Sequence, residues 1–445
     1  MNLERKIRSL MLNVLFNPNV IGAKRWLTEK RRQISGEPHT VSVFLQLDDP
    51  YSYILSHYLP SLIANYDIEL RLYLSQARGD EYQPAPEMLA EYAVSDCVRL
   101  ASELGIPFLD KGKLPPTEHR VGLTNAVASL IGTDSFGEEL RHALAVFWRG
   151  DSSAAASMSS TADSEGAASK VIADSQRLQK KLGHYNTAML HYAGEWYWGV
   201  DRLHYLLDRL SELRAAKSDA PDPLLASIKQ AMKVSLPVKP PAAAKDLPPI
   251  EYFHSFRSPY SYIALQQTYE IADAFGIELK LRPVLPMVMR GMQVPRTKLL
   301  YIFKDVIREA GRRNIPFGKI ADPVGSGAER CLAVFRYAES EHRGRDFLLN
   351  AGAAIWARAI DVATDNGMRK VTGRTGLFWP DVEAAMQTDD WRELTEANRE
   401  SMMESGSWGV PTVRIGDFVV WGQDRDWVLV RHIEELCDTG DGILV

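Results

Sequence analysis

Ser258 stands directly before Pro259-Tyr260-Ser261-Tyr262-Ile263, and its position gives it chemical potential. Proline in a first helical turn loses nothing by lacking an N–H, so the run reads as a helix opening with Ser258 at its N-terminus. Free N–H groups and the helix dipole favour an anion there. A hydroxyl at that point can donate to a thiolate and lower a bound thiol's pKa, or it can serve as an ordinary N-cap. Gln423-Asp424, inside "WGQDR" (421–425), reads as the opening of the last helix, where a carboxylate is a cap or a ligand. Val410-Pro411 precedes a strand, and a cis X-Pro bond costs only ~0.5–1 kcal/mol, so either isomer is open. Lys298 in "PRTKLLY" is a lone lysine, either on the surface or reaching a ligand. His254 lies in an apolar strand and reads as a satisfied core histidine rather than a general base, and Arg282 as core support. Cys97, Cys331 and Cys437 are far apart, with no Cys-x-x-Cys pair. That argues for a reducing compartment, the cytoplasm by default, and against a disulfide framework or a metal site.

The elements that position these residues are announced by a repeat. Pro50-Tyr51-Ser52-Tyr53-Ile54 matches Pro259-Tyr260-Ser261-Tyr262-Ile263 at an offset of 209, and Ile68-Glu69-Leu70 matches Ile277-Glu278-Leu279 at the same offset. So do Tyr92, Asp96 and Arg99 with Tyr301, Asp305 and Arg308, and Ile106-Pro107-Phe108 with Ile315-Pro316-Phe317. "WGVDR" (198–202) then matches "WGQDR" (421–425) at an offset of 223. A register held over about sixty residues reads as tandem duplication. Each half shows an aromatic and β-branched strand, a Pro-opened helix and a second strand, hence a parallel β-α-β unit. A long helical region follows, then a hairpin and a closing helix, an α/β layer fold. "DSSAAASMSSTADSEGAASK" (151–170) is small, polar and low in complexity, and reads as a mobile loop.

Length alone, 445 residues, suggests two or three domains. A net charge of -5 offers no basic field for nucleic acid. No apolar run reaches the ~20 residues of a membrane span, so no stable membrane insertion is expected. Residues 1–33 hold eight Lys/Arg against two Glu. They read as a docked helix with a wet basic face, or as an amphipathic helix on an anionic surface.

Taken in order, Ser258-Pro259-Tyr260-Ser261-Tyr262, Leu281-Arg282-Pro283, "VPRTKLLYI" (294–302), "GVPT" (409–412) and "WGQDR" (421–425) make about 250–436 resemble a known family. It is the group of 2-hydroxychromene-2-carboxylate isomerases and kappa-class glutathione transferases, on a DsbA-like thioredoxin fold with a helical insertion. One departure is Ser255, where family members commonly carry Asp. The resemblance implies a glutathione cofactor whose sulfur meets Ser258, and a cis-proline loop at Val410-Pro411 that pairs with the cysteinyl amide. It further implies that Gln423 and Asp424 hold the γ-glutamyl end and that Lys298 reaches the cofactor. For an isomerase, the thiolate would add to a small electrophilic conjugated carbonyl, permit rotation, and leave.

The expected fold class is therefore α/β, with two tandem thioredoxin-like (DsbA-like) domains, each with a helical insertion. The expected boundaries are a basic N-terminal helical extension at 1–38, a degenerate domain at 39–215, a Pro/Ala-rich linker at 216–249 and the domain carrying the site at 250–440. In the first half Asp49 replaces Ser258, Leu89 replaces Lys298 and Ala188 replaces Pro411, while Asp201 survives. A carboxylate at Asp49 would repel a thiolate, so the first half reads as a relic. Family members often pair as dimers, so the fused halves read as an internal pseudo-dimer, with further homo-oligomerisation open. Two rivals remain: a DsbA-type thiol-disulfide oxidoreductase, which needs Cys where Ser258 stands, and a non-catalytic binding or scaffold protein.

Overall fold

The computed structural model describes residues 11, 13–15, 17–77, 79, 82–109, 116–159, 165–218 and 223–439. The chain divides into two compact units. One comprises Arg25–Lys233 with Pro295–Tyr301, the N-terminal unit; the other, the C-terminal unit, comprises Met1–Lys24, Val234–Val294 and Ile302–Val445.

Helix α1 (Pro18–Ser35) precedes the first sheet, and residues 1–10 of the basic extension lie outside the described residues. Arg25 of α1 forms a bidentate pair with Glu195 (2.7 and 2.9 Å), while Trp26, Leu27 and Ile34 stay exposed. In the N-terminal unit β1 (Thr40–Leu45) runs parallel to β2 (Glu69–Leu74). The hairpin of β3 (Met189–Tyr192) and β4 (Glu195–Trp198) joins β1 antiparallel, giving the order β2-β1-β3-β4. Between β1 and β2 the chain makes two short helices, α2 (Pro50–Ser56) and α3 (Leu59–Asn65). Pro60 accounts for the break: it has no N–H for the Ser56 carbonyl, and its ring would strike that oxygen.

The helical insertion consists of α4 (Pro86–Leu104), α5 (Thr117–Ala128), α6 (Phe136–Trp148), α7 (Ser152–Ser159) and α8 (Glu165–Leu182). Residues 151–170, expected as a loop, are therefore largely helical, with 160–164 outside the described residues. Asp151 Oδ1 accepts the Ala154 N–H at 2.9 Å and starts α7, and alanine favours the helix that follows. Small size here serves packing: Ala155 and Ala168 are buried, and any side chain at Gly122 of α5 would collide with Ser159. Two further helices, α9 (Leu203–Glu212) and α10 (Pro223–Ala231), complete the unit. Helix α10 falls inside 216–249, expected as linker, and buries Leu225 and Ile228; residues 219–222 lie outside the described residues.

The C-terminal unit repeats the plan. Strand β5 (Ile250–His254) is parallel to β6 (Leu279–Pro283) across one unbroken helix, α11 (Pro259–Phe275). Tyr269 stands where the first half has Pro60, so nothing interrupts the turn. Helix α12 (Arg296–Arg312) follows, its first six residues grouped with the N-terminal unit. The insertion is α13 (Ser326–Ser340), α14 (Gly344–Ala357), α15 (Asp365–Thr372), α16 (Trp379–Ala385) and α17 (Trp391–Glu404). The hairpin β7 (Thr412–Ile415) and β8 (Phe418–Trp421) and helix α18 (Asp426–Thr439) close the chain, in the order β6-β5-β7-β8.

Registers agree between the sheets: Val41 faces Leu70 as Ile250 faces Leu279, and Phe44 faces Met189 as Phe253 faces Thr412. The central strands β1 and β5 are almost wholly buried, as expected of strands covered on both faces. The repeated tyrosines make the same bonds: Tyr51 donates to Asp96 (2.7 Å) and Tyr260 to Asp305 (2.9 Å), and Tyr53 and Tyr262 donate to the Pro107 and Pro316 carbonyls. Among the described residues no helix is long and apolar enough to cross a membrane, and no cluster of potential metal ligands occurs.

Candidate active site

Ser258 is the N-cap of α11. Its backbone is extended (φ -90°, ψ 113°), and Oγ accepts the Ser261 N–H at 3.1 Å while Pro259 takes the first turn. Oγ also donates to the Val410 carbonyl at 3.3 Å, which joins the cap to the loop ahead of β7. The Val410–Pro411 bond is cis, as the resemblance implied. Behind the loop, Thr412 Oγ1 donates to the Gly409 carbonyl at 2.6 Å. The Gly422 N–H donates to the Pro411 carbonyl at 2.9 Å, which fixes the turn after β8 against the same loop.

Gln423 and Asp424 lie in that turn. They do not open the last helix as expected, since α18 begins at Asp426. Gly422 (φ 102°) permits the bend, a backbone region costly for side-chain-bearing residues. Arg313 clamps the turn, with Nη1 on Asp426 Oδ2 (2.9 Å) and Nη2 on the Gln423 carbonyl (2.5 Å). Asp424 Oδ1 lies 3.7 Å from Nη1 of the buried Arg425. Gln423 is 5% exposed, and its Nε2 has no partner among the described residues.

Ser258, Val410, Pro411, Gln423 and Asp424 thus share one hydrogen-bonded neighbourhood. Lys298 does not join it by any bond described: it groups with the N-terminal unit, where Nζ donates to the Tyr82 carbonyl at 2.6 Å. Burial lowers its pKa. One turn on, Tyr301 packs on the Phe44, Met189 and Trp196 cluster and meets His184 edge-on at 4.6 Å.

His254 is buried, but it is not the satisfied histidine expected. Nε2 has no partner among the described residues, and Nδ1 is 3.5 Å from the Tyr252 carbonyl. Burial among Tyr252, Phe256 and Phe335 lowers its pKa to about 4, so it is neutral at pH 7. Arg282 is not core support either. It pairs with Glu251 across neighbouring strands (2.6 Å), and Glu251 also holds Arg414 (2.5 Å). Sequence reasoning missed Arg257, next to the cap, which forks onto Asp322 at 3.0 and 3.2 Å. The signal was present: the matching first-half residue is Asp48, of opposite charge.

In the N-terminal unit Asp49 caps α2 with nearly the same backbone (φ -100°, ψ 112°). It accepts from Tyr51 N (3.1 Å), Ser52 Oγ (2.7 Å) and Thr187 Oγ1 (3.1 Å). Burial pushes its carboxyl up to about 6 against the lowering pull of those donors. Ala188, matching Pro411, has φ 53°, and Asp201 is buried in a short 3₁₀ turn.

Residues 249–434 match the family described as "DSBA-like thioredoxin domain". The chain is 22% identical over 196 residues to the 2-hydroxychromene-2-carboxylate isomerase of Pseudomonas putida, covering 42% of this chain and 95% of that enzyme. The enzyme of the same name from Sphingobium xenophagum is 22% identical over 184 residues, covering 40% and 93%. A solved 2-hydroxychromene-2-carboxylate isomerase aligns with 43% of this chain and 96% of its own at 23% identity and a TM-score of 0.38. The family match gives residues 249–434 a DsbA-like thioredoxin fold within a mixed α/β chain.

Proposed function

We propose that the C-terminal unit is a glutathione-dependent isomerase, or a transferase of the same type, acting on a small electrophilic carbonyl compound. The observation that carries this reading is Ser258 at the N-terminus of α11, hydrogen-bonded to the loop of Val410 and Pro411, in a chain whose named relatives are isomerases. The residues fit the cofactor. Gln423 Nε2 is a buried donor without a partner among the described residues, and an unmet donor of this kind costs about 1–3 kcal/mol unless a ligand satisfies it. Glutathione, when bound, would supply the nucleophilic sulfur.

The chain's own residues would do the rest. Ser258 Oγ holds its proton only by a 3.3 Å bond to Val410, so it can turn that proton towards an anion at the helix N-terminus. The backbone of Val410 is held by the loop for amide pairing, and Asp424 offers a carboxylate to an ammonium. Lys298 already donates to Tyr82, and we leave it out of this cradle. We further propose that the chain arose by tandem duplication, a reading supported by the shared strand order and register. Asp49 then occupies the relic counterpart of Ser258.

Disulfide exchange has no support in the cap, which carries no thiol. Cys97, Cys331 and Cys437 lie on α4, α13 and α18, and burial pushes the Cys331 thiol up, away from reactivity. The test is calorimetry with reduced glutathione, followed by turnover of 2-hydroxychromene-2-carboxylate. Binding with turnover supports an isomerase, and binding without turnover favours a transferase acting on another electrophile. Absence of binding contradicts the reading.

A further inference from the structure

Helix α1 turns its large apolar side chains to solvent and its ion pairs to the protein. Among the described residues five large apolar side chains are more than 60% exposed, and three of them, Trp26 (62%), Leu27 (63%) and Ile34 (86%), lie on α1. Single exposed apolar residues are ordinary on a protein surface, whereas a cluster on one element marks a face made for contact.

The charged residues fix the orientation. Arg25, Glu29 and Arg32, spaced i, i+4 and i+7, share the inner face. Arg25 pairs with Glu195 of β4 at 2.7 Å, and the buried Glu29 accepts from Arg32 (2.7 Å) and Gln33 (3.0 Å). Leu27, Lys30, Arg31 and Ile34, spaced i, i+3, i+4 and i+7, share the opposite face, with Trp26 on its flank, and all five are exposed. Lys30 Nζ donates to Gln33 Oε1 at 3.0 Å, an exposed bond that a phosphate oxygen can replace. The outward face therefore joins three large apolar groups to two cations and holds no acid, since Glu29, the one carboxylate of α1, is turned inward.

That mixture decides between occupants. A second copy in a two-fold pair would set this face against itself, with Lys30 and Arg31 opposite their own kind. An anionic bilayer is the complement: negative headgroups meet the cations, the acyl boundary just beneath receives Leu27 and Ile34, and the tryptophan ring sits at the level of the headgroups. No described helix is long and apolar enough to cross a membrane, so the contact is one made at the surface.

We propose that the outward face of α1 docks the protein reversibly on an anionic phospholipid surface. The helix lies in the plane of the interface, with Trp26, Leu27 and Ile34 against the lipid and Lys30 and Arg31 paired with phosphates. The contact uses no residue of the Ser258 neighbourhood.

The experiment is co-sedimentation of the full chain with vesicles of equimolar phosphatidylglycerol and phosphatidylcholine, and with vesicles of phosphatidylcholine alone. The chain binds the anionic vesicles and binds the neutral ones at least about tenfold more weakly, and about 0.5 M salt weakens the anionic binding by a similar factor. The doubly substituted chains Leu27→Asp with Ile34→Asp, and Lys30→Glu with Arg31→Glu, each lose at least about tenfold in binding. Both keep the parent's melting temperature within about two degrees, because the side chains changed are on the surface. The proposal is overturned by lack of binding to anionic vesicles or by equal binding to neutral ones. Binding that survives Leu27→Asp with Ile34→Asp also overturns it, since that chain keeps Arg5, Lys6 and Arg8 and the contact would then belong to them. So does sedimentation velocity showing a dimer that the same variant makes monomeric, which would assign the face to a second copy. A fall of several degrees in either variant's melting temperature contradicts it as well, since these side chains would then be packed in the fold.

Discussion

Asp49 and Ser258 cap corresponding helices with backbone angles within about ten degrees of each other, yet their surroundings carry opposite electrostatics. Before Asp49 stands Asp48, paired with Arg120; before Ser258 stands Arg257, paired with Asp322. Asp49 accepts from Ser52, Thr187 and the Tyr51 N–H, whereas Ser258 accepts only the Ser261 N–H and donates its proton to a loop carbonyl at 3.3 Å. The fold settles where the cap goes, and the side chain settles what chemistry the cap can do. One place favours an anion; the other already contains one.

The largest expected effect is at Ser258. Ser258→Ala should cut glutathione-dependent kcat about 100-fold, the order seen when one donor to a developing anion is lost, with little change in glutathione affinity. Asp49→Ala should leave kcat alone, and steady-state kinetics on both variants would break the comparison if they fell together. Asp424→Asn should weaken glutathione by about 1–3 kcal/mol in calorimetry with kcat nearly intact, because in the proposed reading it would meet a part of the cofactor that does not react. Asp201→Asn should change neither quantity; equal weakening would mean that the first half also holds cofactor.

Titration sharpens the contrast further. The Asp49 carboxyl is raised from its ordinary 3.8 to about 6, so its share of stability is whole below pH 4 and is lost as pH rises to 6. Asp49→Asn, always neutral, should gain on the parent by about 2–3 kcal/mol between pH 4 and pH 7 in denaturant unfolding. His254 behaves in the opposite sense. Lowered from 6.5 to about 4, it costs stability as pH falls through that window, and a His254→Phe chain should lose that acid sensitivity. The smallest effect belongs to Lys298→Met. It should leave glutathione affinity within about twofold, since Nζ is held by Tyr82.

What could be read in advance depends on how local each signal is. The β-α-β openings, the closing hairpin and the cap at Ser258 are set by neighbours in sequence, and they stand where the pattern put them. Pro60 was equally local and splits the first-half helix. Residues 151–170 misled because small side chains look disordered by composition, while their value lies in close approach to a distant Gly122. Helix α10 was hidden by the prolines around it. The grouping of 296–301 with the N-terminal unit, the orphan amide of Gln423 and the fork of Arg257 onto Asp322 depend on partners far away in the chain. No spacing rule reaches those.

The central claim is that Ser258, and not Asp49, stabilises a thiolate. Ultraviolet titration of thiolate absorbance for glutathione bound to the full chain tests it directly. The account predicts that Ser258→Ala raises the bound-thiol pKa by about one unit or more, the worth of one charge-assisted hydrogen bond, while Asp49→Ala leaves it in place. An unchanged pKa in Ser258→Ala, or an equal shift in both variants, would contradict it.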